Sequence, residues 1–336
     1  MLEASHLIAE KVEQAGSPAP HAMAASLNPF TFWFGLPDMA SSWFVSPAPA
    51  PLPRSAPAAN AGSFTRDACT EGAYALFLPP RSKKPLSLLL MLHGCSQSGE
   101  DFAAGTAMNE AAAKAGFAVL YPAQSARANA SLCWNWFQPS HQQRGKGEPA
   151  MLAAMTQRVI DAHAIDRGRV FVAGLSAGGA MAAVMGEAYP DMFAAVGVHS
   201  GLATQVACDA GTAMAAMRGV GPPAGAAPTG VPTIVFHGDA DDTVHPSNGA
   251  RLMAACAGNN VVIDHRRIEE GGRDSTRTRY RSEDGGVIAE HWSVHGARHA
   301  WSGGSCTGSF ADERGPAASA KMLRFFTEHS RPSKAR

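Results

Sequence analysis

Gly174-Leu175-Ser176-Ala177-Gly178 is the segment whose residue types point most directly to chemistry. The apolar run VFVAGL leads into it and the small-residue run AGGAMAAVM leads out, a pattern that predicts strand, tight turn and helix. A serine on such a turn stands clear of the sheet, with helix N–H groups aimed at whatever reacts there. Gly174, Gly178 and Gly179 suit the turn because bulkier neighbours would collide. The bland alternative is a serine that merely caps a helix. If Ser176 is a nucleophile, it needs an imidazole to take its proton and a carboxylate to orient that imidazole.

Two later segments offer those groups. VPTIVFHG predicts a strand and DADDTV the loop after it, where Asp239, Asp241 and Asp242 compete for the role of orienting acid. Asp241 is favoured, the other two reading more simply as solvated or capping residues. HWSVHGARHAWSGG contains His291, His295 and His299. A strand ending near Gly296 leaves His299 on the loop beyond it, and Gly303 and Gly304 allow that loop to curl. His291 and His295 then read as strand residues with structural hydrogen bonds. Their spacing of four invites a metal reading, but i,i+4 ligands converge only on a helix. Trp292, Val294 and Gly296 favour strand and turn, so no metal is expected.

An oxyanion would need two backbone donors. The Ala177 amide follows the nucleophile. The second is expected on the loop after LSLLLMLHG, from Cys95, with Ser96 as the alternative and His93 as a residue that pins the loop. Trp134 and Trp136 in CWNWF suit a substrate platform or a local hydrophobic lock equally well, and Trp301, beside His299, is open to the same two readings. As substrate-binding candidates, Trp134, Trp136 and Trp301 are taken forward together.

These residues must be carried by a scaffold, and the chain supplies its pattern. From about residue 64, short apolar runs alternate with helical stretches: YALFLP, LSLLLMLHG, FAVLYPA, RVFVAGLS, FAAVGVHSG and VPTIVFHG as strands, and EDFAAGTAMNEAAAKAG, EPAMLAAMTQRVIDAHA, AGGAMAAVMGEAYP, SNGARLMAACAG and PAASAKMLRFFTEHS as helices. TRTRYRSEDGGVIAEHWSVHG predicts a hairpin. Such alternation implies an α/β fold with a mostly parallel sheet covered on both faces and ligands at the carboxyl ends of its strands. Residues 1–63 differ: they are rich in Pro, Ala and Ser and read as a tail or linker, with residues 64–330 as the catalytic domain. Within that tail, NPFTFWFGLPDMASSWF is aromatic enough to pack on the domain or to contact a partner.

Hydrophobic residues make up 46% and charged residues 17% of the 336, which fits a substantial core. Formal net charge is zero, so no global field favours nucleic acid or an acidic membrane. No apolar run reaches the roughly 18–20 residues of a membrane-spanning helix. The opening MLEASHLIAEKVEQAG lacks a basic region ahead of a long apolar one, so no ordinary secretion signal is expected. Six dispersed cysteines, none in a C-x-x-C pair, suit disulfides in an oxidising compartment or buried thiols.

Taken together, LHGCSQSGEDFAAGT, FAVLYPAQ, CWNWF, GLSAGGAMA, HGDADDTVHPSN and GARHAWSGG resemble the polyhydroxybutyrate (PHB) depolymerase family of esterases, relatives of feruloyl and acetylxylan esterases. The resemblance runs from about residue 70 to 328. It implies an α/β-hydrolase fold, ester hydrolysis without a cofactor, Ser176, Asp241 and His299 as the triad, a disulfide between Cys95 and Cys133, and export from the cell, extracellular or periplasmic. The N-terminus departs from the exported pattern and leaves a cytoplasmic location open. No appended polymer-binding module is evident. The expected partner is an ester substrate: a short-chain hydroxyalkanoate polyester or oligomer, or, in rival readings, a feruloyl or acetyl ester of carbohydrate, or a ligand of a non-catalytic relative. Oligomeric state is not legible. An imidazole base implies rates that fall below roughly pH 6–7.

Overall fold

Strands rich in Leu, Val, Phe and Ala on both faces can only be satisfied by burial on both faces, and this decides the architecture. A computed structural model describes residues 62–80, 84–221, 230–257, 262–282 and 285–331. The expected tail, with its aromatic segment, therefore falls outside the described residues almost entirely. The elements run β1 (Ser63–Cys69), β2 (Gly72–Leu78), β3 (Leu86–Leu92), α1 (Gly99–Thr106), α2 (Met108–Ala115), β4 (Phe117–Pro122), α3 (Gly147–Ala162), β5 (Ile165–Leu175), α4 (Ala177–Ala188), β6 (Ala195–His199) and α5 (Ala210–Met217). They continue through β7 (Thr233–Gly238), α6 (Ser247–Ala257), β8 (Val262–Glu270), β9 (Arg273–Arg281), β10 (Val287–Val294), the two-residue strands β11 (Trp301–Ser302) and β12 (Ala311–Asp312), and α7 (Ala318–Glu328).

Ten strands form one sheet in the order β1-β2-β4-β3-β5-β6-β7-β10-β9-β8. The six from β4 to β10 are mutually parallel, while β1, β2, β9 and β8 extend the sheet by antiparallel pairing. This is the α/β-hydrolase architecture. The central strands are buried throughout, as in β3, β4, β6 and β7. One core cluster joins Leu89, Phe171, Phe236 and Trp292 of the sheet to Met322, Phe325 and Phe326 of α7.

Three local expectations are revised. EDFAAGTAMNEAAAKAG is two helices, because Ala107 between them is left-handed, with φ 48°. β1 and β8 are strands that sequence patterning missed. Their polar, charged stretches SFTRDAC and VIDHRRIEE lack a continuous apolar signal, and they form by pairing with β2 and β9. No helix among the described residues is long and apolar enough to cross a membrane.

Candidate active site

Strand register brings the three segments to one edge. Leu175 pairs with His199, His199 with Phe236, and Gly238 with Val294, so β5, β6, β7 and β10 end together. Ser176 follows β5 directly, and Asp241 and His299 lie on the loops after β7 and β10.

The turn at Ser176 is under backbone strain. Its φ of 58° and ψ of −120° lie outside the regions that L residues ordinarily adopt. The surrounding packing holds it there. The Ser176 amide donates to His199 O at 2.9 Å. A Cβ on Gly174 would fall 2.3 Å from Gly178 O, and one on Gly178 would fall 2.0 Å from Leu92 O. The glycines are thus required by close backbone approach between the turn and β3. Ser176 is nearly buried, and its hydroxyl makes no hydrogen bond among the described residues.

Of the three competing acids, Asp241 is the one that meets His299. His299 Nδ1 donates to Asp241 Oδ2 at 2.8 Å, with both side chains buried. The Thr243 and Val244 amides donate to Asp241 Oδ1 at 3.0 and 2.9 Å. Burial works against the charge of Asp241, but the imidazoles of His237 and His299 beside it hold its carboxyl far below the usual carboxylate range. With Nδ1 committed to the acid, His299 Nε2 is buried and has no partner among the described residues. Asp239 instead clasps the start of the histidine loop, accepting from His295 Nδ1 at 2.8 Å and from the Gly296 amide at 2.6 Å. Asp242 lies 3.9 Å from Arg298 with both side chains largely exposed. The three histidines face different partners, since His295 Nε2 meets Thr276 while His291 sits behind β7 against Gly249.

On the loop after β3 the choice of donor is narrowed by hydrogen bonding. The Gly94 amide is spent on Gln97 Oε1 and the Ser96 amide on Ser131 O, whereas the Cys95 and Ala177 amides have no partner among the described residues. His93 pins this loop: the Gln124 amide donates to its Nε2 at 3.2 Å, so Nδ1 carries the hydrogen given to Gly94 O at 2.7 Å. Cys95 and Cys133 form a disulfide. Sequence reading missed Glu148, a lone acid at the start of α3. Buried, it accepts from Gln124 Nε2 at 2.6 Å and from the Asn135 amide and Nδ2 at 2.7 Å, tying both flanks of the loop together.

The three candidate tryptophans differ in what they touch. Trp134 is fully buried and donates its indole N–H to His93 O at 3.1 Å, an arrangement that fits the local lock of the two readings. Trp301 is also buried, donating to Ser319 Oγ at 3.1 Å and stacking on His199. Trp136 packs edge-on against Phe137 and keeps only a small exposed edge. The indole N–H groups explain the placement, because a buried tryptophan must find an acceptor.

His199, also unanticipated, links two parts of the site. Its carbonyl accepts from Ser176, and its ring Nε2 accepts from the Ser302 amide at 2.9 Å beyond the His299 loop. Burial, with His237 and His299 close by, pushes its pKa down to about 3; burial also pushes His291 down to about 4. Between these values and the ordinary 6.5, the unfolded chain binds protons that the folded one refuses. Stability therefore rises with pH through that window and falls on acidification, with a slope of up to about 1.4 kcal/mol per pH unit for each histidine. Urea midpoints at pH 7, 5.5 and 4.5 should decline accordingly, and His199→Gln should flatten the decline.

Reducing the Cys95–Cys133 bond opens a loop with a sequence separation of 38. Chain-entropy arguments put the loss near 3–4 kcal/mol. We expect Cys133→Ser to lower the unfolding midpoint by that amount and to impair turnover, read by denaturation and kinetics side by side.

The family model described as "Esterase PHB depolymerase" matches residues 72–281. Poly(3-hydroxyalkanoate) depolymerase C of Paucimonas lemoignei is 29% identical over 225 residues, covering 63% of this chain and 54% of that protein. Feruloyl esterase B of Neurospora crassa is 33% identical over 140 residues, covering 41% and 46%. A probable acetylxylan esterase A of Aspergillus clavatus is 28% identical, covering 62% and 72%. The chain thus spans about half the length of the first two. Among solved structures, an acetyl xylan esterase from Aspergillus awamori superposes with a TM-score of 0.59 at 17% identity, over 80% of this chain and 100% of that one, a likeness of fold.

Proposed function

Because the chain belongs to the PHB depolymerase family of esterases, we propose that it is a serine esterase that cleaves carboxylic esters of short-chain hydroxyalkanoate polyesters or oligomers through an acyl-enzyme. The observation that carries the reading is the buried Asp241–His299 pair, at the same sheet edge as a serine held on a strained turn. His299 Nε2 takes the Ser176 proton as Oγ attacks the ester carbonyl. Asp241 stays ionised, orients the imidazole and offsets its positive charge. The oxyanion rests on the Ala177 and Cys95 amides. His299 then protonates the leaving alcohol, and a water, activated by the same imidazole, releases the acid and restores Ser176. These steps call for no cofactor.

The disulfide supports an oxidising compartment, extracellular or periplasmic. A second reading, favoured by the feruloyl and acetylxylan esterase relatives, is removal of feruloyl or acetyl groups from carbohydrate. Hydrolysis of 3-hydroxybutyrate oligomers, feruloyl esters and short p-nitrophenyl esters, with Ser176→Ala as control, separates the two. The first reading predicts kcat/KM highest on the hydroxybutyrate oligomers. A preference for feruloyl or acetyl esters of at least about 100-fold, some 2.7 kcal/mol of discrimination, would overturn it.

A further inference from the structure

Three imidazoles, those of His199, His237 and His299, lie near the carboxylate of Asp241, with His291 close to His237, and the proposed reaction uses only one of them. His237, buried in β7, places Nε2 2.8 Å from Val244 O and 3.5 Å from Asp241 Oδ2. Both are acceptors, so Nε2 carries the hydrogen. A neutral ring then has its lone pair on Nδ1, and that atom is buried with no partner among the described residues. His291 Nε2 is buried and unpartnered as well. The two nitrogens face one small space over α6, where a Cβ on Gly249 would stand 3.0 Å from His237 Nδ1 and 3.1 Å from His291 Nε2. Buried polar atoms in native proteins seldom go unpaired, and here a donor and an acceptor complement each other.

We infer that His237 is a positioning residue: it gives Asp241 Oδ2 a second imidazole donor beside His299, and His291 fixes its tautomer by donating to Nδ1 across Gly249, directly or through one water. The inference rests on the reading of Asp241 and His299 as the working pair. Oδ1 is held by two amides and Oδ2 by His299, and the N–H of His237, directed mainly at Val244 O, lies 3.5 Å from the same Oδ2 as a weaker, shared donor. Sharing Oδ2 also makes the carboxylate less basic, so loss of the second donor is read in the pH dependence of the reaction as well as in its rate. The titratable groups that face this cluster are His199, His291 and His299, and the low pKa of His199 and His291 keeps both rings neutral near pH 7.

The direct test does not depend on catalysis. In 15N-histidine NMR of the full chain, the neutral His237 ring should carry its hydrogen on Nε2. A neutral ring with its hydrogen on Nδ1 overturns the inference and leaves the esterase reading to its own test with Ser176→Ala. Kinetics supply the second readout. His237→Leu removes the donor at similar bulk and should cost about 30–100-fold in kcat, while the acid limb of kcat/KM moves up by about one pH unit. His237→Gln keeps an N–H near Nε2 and should stay within about fivefold of wild type with its limb nearly unmoved. Equal losses in both variants without limb movement would contradict the role. If His237→Leu fails to fold, Gly249→Ala takes its place, since its methyl separates the two rings. Loss of the Nε2–H preference is then expected, and an unchanged spectrum would count against the link.

Discussion

Ser176→Ala is expected to lower kcat on a responsive ester by about 10⁴-fold or more, with little change in the urea midpoint. The hydroxyl makes no hydrogen bond among the described residues, so its removal leaves no buried partner unsatisfied. Alanine must adopt the same strained φ of 58° that serine adopts, held by the His199 carbonyl and the glycines at 174 and 178, so the cost of the turn is common to both proteins. On the proposed mechanism, what disappears is the covalent step. The two free amides and the substrate contacts remain, which leaves a residual rate above that of the uncatalysed reaction and a nearly unchanged KM. Steady-state kinetics and denaturation on the same preparation test both halves. A variant within tenfold of wild type would mean that the hydroxyl is not the nucleophile.

Asp241→Asn should cost about 10³–10⁴-fold in kcat for a different reason. The Thr243 and Val244 amides require an acceptor at the Oδ1 position, so an asparagine must turn its Nδ2 toward His299. Two donors cannot face each other, and His299 would move its hydrogen to Nε2, where a lone pair is needed to take the serine proton. The same Nδ2 would confront His237 Nε2–H, so a moderate loss of stability should accompany the loss of rate. Asp239→Asn is the control. Asp239 holds His295 and Gly296 at the surface of the loop, and its loss should cost less than about tenfold. Equal losses at the two positions would remove the distinction between them.

Much of this was legible in the sequence, and the reasons are local. A tight strand-to-helix turn admits only small residues beside Ser176, so its glycines announce it. The parallel strands are continuous apolar runs because both their faces are covered. Asp241 is favoured because Asp239 and Asp242 read as solvated or capping residues and because the family resemblance implies it; the partners of all three depend on how β7 and β10 align, which no local pattern encodes. The same limit hid His199, His237 and Glu148, whose roles arise from neighbours brought close by the sheet and the loops. Trp134 and Trp301 illustrate the same limit from the other side. Tryptophans beside candidate site residues suggest a binding platform, yet here each indole N–H is satisfied inside the fold and its ring completes the core.

Covalent labelling with a fluorophosphonate tests the central claim most directly, because only a serine activated by its imidazole reacts quickly. Mass spectrometry of the digested protein should find the phosphonyl adduct on Ser176, formed rapidly in wild type, slowly in Asp241→Asn and not at all in Ser176→Ala. An unmodified Ser176 after prolonged exposure, or an adduct on another serine that tracks the loss of activity, would contradict the account.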